Sequence, residues 1–127
     1  MRYWTFKDYL DVHGENDILA WFHDQPKNAR ARINLVIQRL EAMEQLPVKL
    51  FKPIPGAGRG LWEIRVRVES VQYRPLCFRG PGRKEITILV GAREKGNKFD
   101  PLSAPSTAQI RMSEVSNGRS ICDHDFS

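Results

Sequence analysis

Residues Leu61–Glu69 read L-W-E-I-R-V-R-V-E, a strict alternation of apolar and charged side chains. A strand points successive side chains to opposite faces, and a helix cannot use this period. Trp62, Ile64, Val66 and Val68 therefore share one face, and Glu63, Arg65, Arg67 and Glu69 share the other. The first face must be buried, so the segment demands a sheet with a core on one side. The second face presents two guanidinium groups, which bind phosphate oxygens in a bidentate way. Two more strand-like runs follow, at 72–79 and 84–90, and a short one is expected at Val48–Lys52. Short turns between consecutive strands predict an antiparallel meander. Pro75 interrupts the run at 72–79, and proline within a strand marks a bulge or looser pairing.

The segments before the sheet have a different period. Arg2–Lys7 suggests a short strand. Residues 15–23 suggest a helix that buries Ile18, Leu19 and Phe22. A longer helix is expected over 26–45, with Ala29, Ile33, Val36, Ile37, Leu40 and Met43 at helical spacing. Pro26 suits its first turn, where a missing N–H costs nothing. Residues 91–100 read as a basic loop, and a last helix is expected from 103–105 to about 115. The predicted order is β-α-α-β-β-β-β-α. It describes an α+β domain: a small antiparallel sheet with two N-terminal helices on one face and a short C-terminal helix. We assign this domain to residues 1–115. The tail at 116–127 lacks periodicity and is expected to be mobile.

Charge is concentrated in the sheet. The chain is +5 overall, yet residues 49–98 alone carry 12 basic and 4 acidic side chains. A focused basic surface attracts nucleic acid and gains affinity by counterion release. Cys77 and Cys122 are the only cysteines, and they read as free thiols of a reducing compartment. The N-terminus has no apolar signal-type core and no run reaches the length of a membrane span. We therefore expect a cytoplasmic chain that contacts no membrane. His13, His23 and His124 have no ligand spacing, so neither metal nor cofactor is expected. The loop Gly56-Ala57-Gly58-Arg59-Gly60 leads into a strand, whereas a phosphate-binding loop leads into a helix. It reads as a hairpin connection, with Arg59 as an outer contact for nucleic acid.

The order of elements and the runs G-L-W-E-I-R, Q-Y-R-P-L-C-F and L-V-G-A-R-E-K resemble the RelE/ParE superfamily of bacterial toxins. The HigB-like, phage-derived group is the most similar in pattern, over roughly residues 2–115. The resemblance implies the toxin of a type II toxin–antitoxin system. Such a toxin is a ribosome-dependent endoribonuclease that cuts mRNA by metal-free attack of the 2′-OH. Its implied partners are a cognate antitoxin and mRNA on the ribosome. Residue by residue, it makes Arg65, Arg74, Arg93 and Lys95 the catalytic set. Arg59, Arg67, Lys98 and Phe99 become RNA contacts. Some relatives carry a proton-donating aromatic where Phe99 stands, and Phe99 can only stack. Pro75 also departs from the family's usual aliphatic residue.

In that chemistry Arg74 and Arg93 stabilise charge on the phosphoryl oxygens, while Arg65 positions the phosphate. Arginine stays protonated and is a poor base. Lys95, Glu63 and Glu94 remain open as the general base. Two other functions share the fold: a ParE-like gyrase inhibitor, and a non-catalytic nucleic-acid-binding protein of phage origin.

Overall fold

The computed structural model describes residues 2–56 and 59–127. Along the chain run β1 (Thr5–Tyr9), α1 (Asp17–His23), α2 (Lys27–Glu41), β2 (Phe51–Pro53), β3 (Trp62–Ile64), β4 (Val66–Val68), β5 (Val71–Tyr73), β6 (Leu76–Arg79), β7 (Glu85–Val90), β8 (Arg93–Lys95), β9 (Lys98–Asp100), α3 (Ala104–Ser116) and β10 (Ile121–Asp123). The fold is α+β, as the patterning predicts. The strands form two sheets, ordered β10-β1-β7-β6-β3-β2 and β4-β5-β8-β9. Neighbouring strands are antiparallel except β1 and β7, which are parallel.

The single meander expected at 61–90 is therefore corrected to a bent one. The chain passes between the sheets at Arg65, at Arg74–Pro75 and at Gly91–Ala92. These three crossings are tied together. Ile64 N donates to the Pro75 carbonyl (2.9 Å), Arg74 N to the Ala92 carbonyl (2.8 Å) and Arg65 N to the Leu50 carbonyl (2.8 Å). Pro75 lacks an N–H, so it suits the point where the ladder stops. Gly91 suits the corner for another reason. A Cβ there would come within 2.1 Å of the Trp21 ring, so only glycine lets Trp21 pack against the bend. The alternation survives the break: Ile64 and Val66 are buried, while Arg67 is exposed.

α1 and α2 cover one face of the larger sheet and α3 the other. Asp8 and Tyr9, adjacent on β1, mark the two sides. Asp8 Oδ1 meets His124 Nδ1 (2.8 Å), which lies beside Phe22 of α1 and Asn34 of α2. Tyr9 OH donates to Glu114 of α3 (2.5 Å). α2 buries Ala29, Ile33, Val36, Ile37 and Leu40, as its spacing predicts. Pro26 is its N-cap, one place before the first turn.

Two expectations about loops fail. The basic loop at 91–100 is a hairpin, β8–β9, closed by Gly96 and Asn97 at φ +57° and +65°. Positive φ at both central residues matches the twist of antiparallel strands. The tail is not loose either. β10 pairs with β1, and His124 behind it is buried. Ala57 and Gly58 of the expected hairpin connection lie outside the described residues. On either side of them, β2 and β3 pair antiparallel. Among the described residues no helix is long and apolar enough to cross a membrane.

Candidate nucleic-acid interface

Directly opposed residues in a sheet point to the same side. The ladder pairs Lys52 with Glu63, Arg67 with Gln72, Gln72 with Glu94, and Glu94 with Phe99. These positions share one side of the corner with Arg65 and Arg74, which alternate with buried Ile64, Val66 and Tyr73. On this side lies a cleft of about 480 Å³ lined by Val48, Lys49, Lys52, Arg65, Arg67, Gln72 and Arg74. Five of those seven side chains are cationic at neutral pH. The cleft offers several separate contacts for a polyanion.

Arg74 is the floor of this cleft. It is only 3% exposed. Its Nη1 donates to the Tyr73 carbonyl (2.9 Å), and Nη2 donates to Gln72 Oε1. Its Nε lies 3.1 Å from Glu63 Oε2 and 3.6 Å from Glu94 Oε1, yet it makes a well-aligned hydrogen bond to neither. Glu63 also sits 3.7 Å from Arg65 Nε. Burial raises the Glu63 carboxyl above the ordinary range, against the pull of Arg74 and Arg65. Burial likewise lowers the Arg74 guanidinium, and the nearby Arg65 charge adds to it. For both partners, losing water outweighs the attraction gained.

The residues picked out by the resemblance do not all meet. Arg65, Arg67 and Arg74 line the cleft together. Arg93 shares its side of the ladder with Tyr73 and Asp100, the side away from Gln72. It pairs with Asp100 at 3.2 Å. With Lys95, Ser70, Val71 and Glu94 it borders a separate groove of about 210 Å³. Lys98 is exposed opposite Lys95. Phe99 is half-buried and packs against the core. Arg59 is exposed, and its carbonyl accepts from Gln109 Nε2 at 2.9 Å. Glu94 reaches toward Arg74 and borders the second groove as well.

Lys49 and Lys52 line the cleft but were not singled out in the sequence. Both are exposed, and neither forms an ion pair with a described residue. Their signal was the charge excess that begins at residue 49. It lacked a face, because residues 48–50 form a turn rather than part of a strand. Among the described residues, no group of three His, Cys, Asp or Glu side chains could hold a metal ion.

A family profile described as "phage derived protein Gp49-like" matches residues 20–113. The match takes in the second half of α1, all of α2, the whole corner and most of α3. No curated protein and no solved structure matches the chain.

Proposed function

The chain belongs to the phage-derived Gp49-like family, within the RelE/HigB-like toxin group, and from that premise we propose that it cleaves mRNA on the ribosome as the toxin of a type II toxin–antitoxin pair. The observation that carries this reading is the cleft. Lys49, Lys52, Arg65 and Arg67 rim it, and the buried Arg74–Glu63 pair lies beneath them.

In the proposed reaction the 2′-oxygen of one nucleotide bonds to the adjacent phosphorus, and the P–O5′ bond breaks. The products are a 2′,3′-cyclic phosphate and a 5′-OH. Negative charge grows on the phosphoryl oxygens, and side-chain cations answer it. Arg65 is the cation best placed to touch the phosphate, because its side chain is open to the cleft and only loosely held by Glu63. Lys49, Lys52 and Arg67 bind the flanking phosphates. Arg74 acts as a positioning residue, since its donors are already committed below the surface. Glu63 is the base that accepts the 2′-OH proton. Its raised carboxyl pKa brings it nearer to neutral, which suits general-base work. The leaving 5′-oxygen takes its proton from Lys52 or from water. The ribosome adds orientation by presenting the mRNA in a reactive geometry.

A ParE-like reading needs a surface shaped for gyrase, and no observation here favours it. One paired assay separates the two. Purified chain is added to programmed ribosomes, and separately to gyrase with plasmid DNA. The proposal expects mRNA fragments with 5′-OH ends and undisturbed supercoiling. Intact mRNA with inhibited gyrase would overturn it.

A further inference from the structure

A third cavity lies at the end of the larger sheet remote from the corner. It holds about 210 Å³ and is lined by Tyr3, Trp4, Glu44 and Lys84. Lys84 precedes β7, whose far end reaches the corner, so the two sites are about 20 Å apart at the rise of a strand. The walls are fixed. Tyr3 N and Trp4 N donate to the Glu41 carbonyl at 2.7 and 3.2 Å, and Thr5 N donates to the Lys84 carbonyl at 2.9 Å. The Trp4 ring is held as well. The Arg79 guanidinium lies 4.7 Å from its centroid and 5.4 Å from that of Trp62, which stacks on Phe51 at 5.1 Å and 8°.

Three features bear on what this cavity takes. Its aromatic walls offer flat surfaces. Glu44 accepts and Lys84 donates, both from exposed positions at the mouth. The Trp4 indole N–H is buried and meets no acceptor among the described residues. A buried donor without a partner is costly, and it sits on a residue of this cavity's lining. Arg2 and Arg83 adjoin the lining residues Tyr3 and Lys84 in sequence and Arg79 lies against Trp4, and all three are exposed cations suited to a phosphate chain.

Resting on the RNA reading above, we propose that this cavity takes an unpaired guanine base of the same RNA. Unstacked bases are commonly read by stacking on aromatic side chains and by hydrogen bonds to their edges. Guanine shows two adjacent N–H donors, which match one carboxylate, beside an O6 acceptor, which matches one ammonium. Uracil has a single donor on that edge and matches Glu44 less well.

The test uses the full chain and two labelled twelve-nucleotide RNAs, one of uridine alone and one with a central guanosine. Anisotropy titrations are run on the parent, Glu44→Gln, Lys84→Met and Arg65→Ala. The parent should prefer the guanosine RNA about tenfold, the discrimination one well-made base contact supplies. Glu44→Gln and Lys84→Met should lose most of that preference with unchanged melting temperatures. Arg65→Ala should weaken both RNAs alike and keep their ratio. A parent that binds both RNAs equally well would overturn the cavity proposal and leave the cleft reading standing. So would a Glu44→Gln chain that keeps the preference. If the parent binds neither RNA, the cleft reading falls and takes this proposal with it.

Discussion

Two buried polar clusters lie within this small fold, and they are built in opposite ways. Under β10, Asp8 accepts through one oxygen from Asn16 Nδ2 (2.9 Å) and meets His124 with the other. His124 continues to Asn34 Oδ1 (2.9 Å), and Asn34 Nδ2 donates to the Phe126 carbonyl (3.4 Å). Asn16 Oδ1 in turn caps α1 through Leu19 N (2.9 Å). Every polar end is met. At the corner, Arg74 Nε is buried without an aligned hydrogen bond, and burial disfavours charge on both Arg74 and Glu63. A satisfied network rigidifies a core, whereas a partly satisfied one spends stability. The first cluster fastens the C-terminal strand to the sheet. The second holds charge against a cleft, an arrangement the proposed reaction would use.

The contrast can be broken first at Arg74. Arg74→Ala leaves Glu63 and Glu94 without their shared cation, and breaking a buried ion pair costs about 3–5 kcal/mol. Urea unfolding should register that loss, and cleavage should vanish with it. Arg74→Lys should not restore cleavage, because one ammonium cannot serve Tyr73, Gln72 and Glu63 together. A variant as stable as the parent would mean that Arg74 organises nothing.

His124→Ala tests the other cluster. It leaves Asp8 Oδ1 and Asn34 Oδ1 without their partner in the core, at about 1–3 kcal/mol for a buried group left unmet. The melting temperature should drop while cleavage per folded molecule stays at the parent level. If cleavage per folded molecule fell instead, the two clusters would not divide as described.

Smaller effects sharpen the contrast. Lys49→Ala and Lys52→Ala should each reduce the slope of log affinity against log salt for single-stranded RNA by about one phosphate contact. Slopes equal to the parent's would remove these lysines from the interface. The smallest effect concerns Glu63. Its folded pKa lies above the unfolded value of 4.5, so the fold favours the protonated acid. That stability is present at low pH and is lost as pH rises past about 4.5 through the folded value. Glu63→Gln lacks this step. Subtracting its urea midpoints from the parent's should show the parent losing ground as pH rises. A difference flat with pH would contradict the raised pKa. Asp11, Asp123 and Asp125, whose pKa values are lowered, act in the other direction but are common to both chains.

Local pattern carried much of the fold. The alternation at 62–68 assigned the buried and charged sides even though the strand breaks at Arg65, because a bend that keeps the pleat keeps the faces. The α2 spacing marked its buried stripe. The bend itself was not legible, since Trp21 settling on Gly91 is a contact across 70 residues of chain. Gly96-Asn97 did carry a turn signal, which the surrounding charge obscured. β10 was invisible for a different reason: a three-residue strand has no period, and its anchor, His124, looks like any tail histidine. At the cleft, Arg65 and Arg67 were readable from alternation, and Arg74 from the family resemblance. Arg93 was not separable from them, because its side follows from the register of β5 with β8 and not from its own neighbours.

On the proposed reading the open cations of the corner, Arg65 first among them, act on a phosphate. Single-turnover cleavage of ribosome-bound mRNA by parent and Arg65→Ala, with melting temperatures taken on the same samples, tests it most directly. A loss on the order of 10²–10³ in rate, the usual cost of removing one transition-state contact, is expected at an unchanged melting temperature. An Arg65→Ala chain that melts like the parent and cuts like the parent would contradict it.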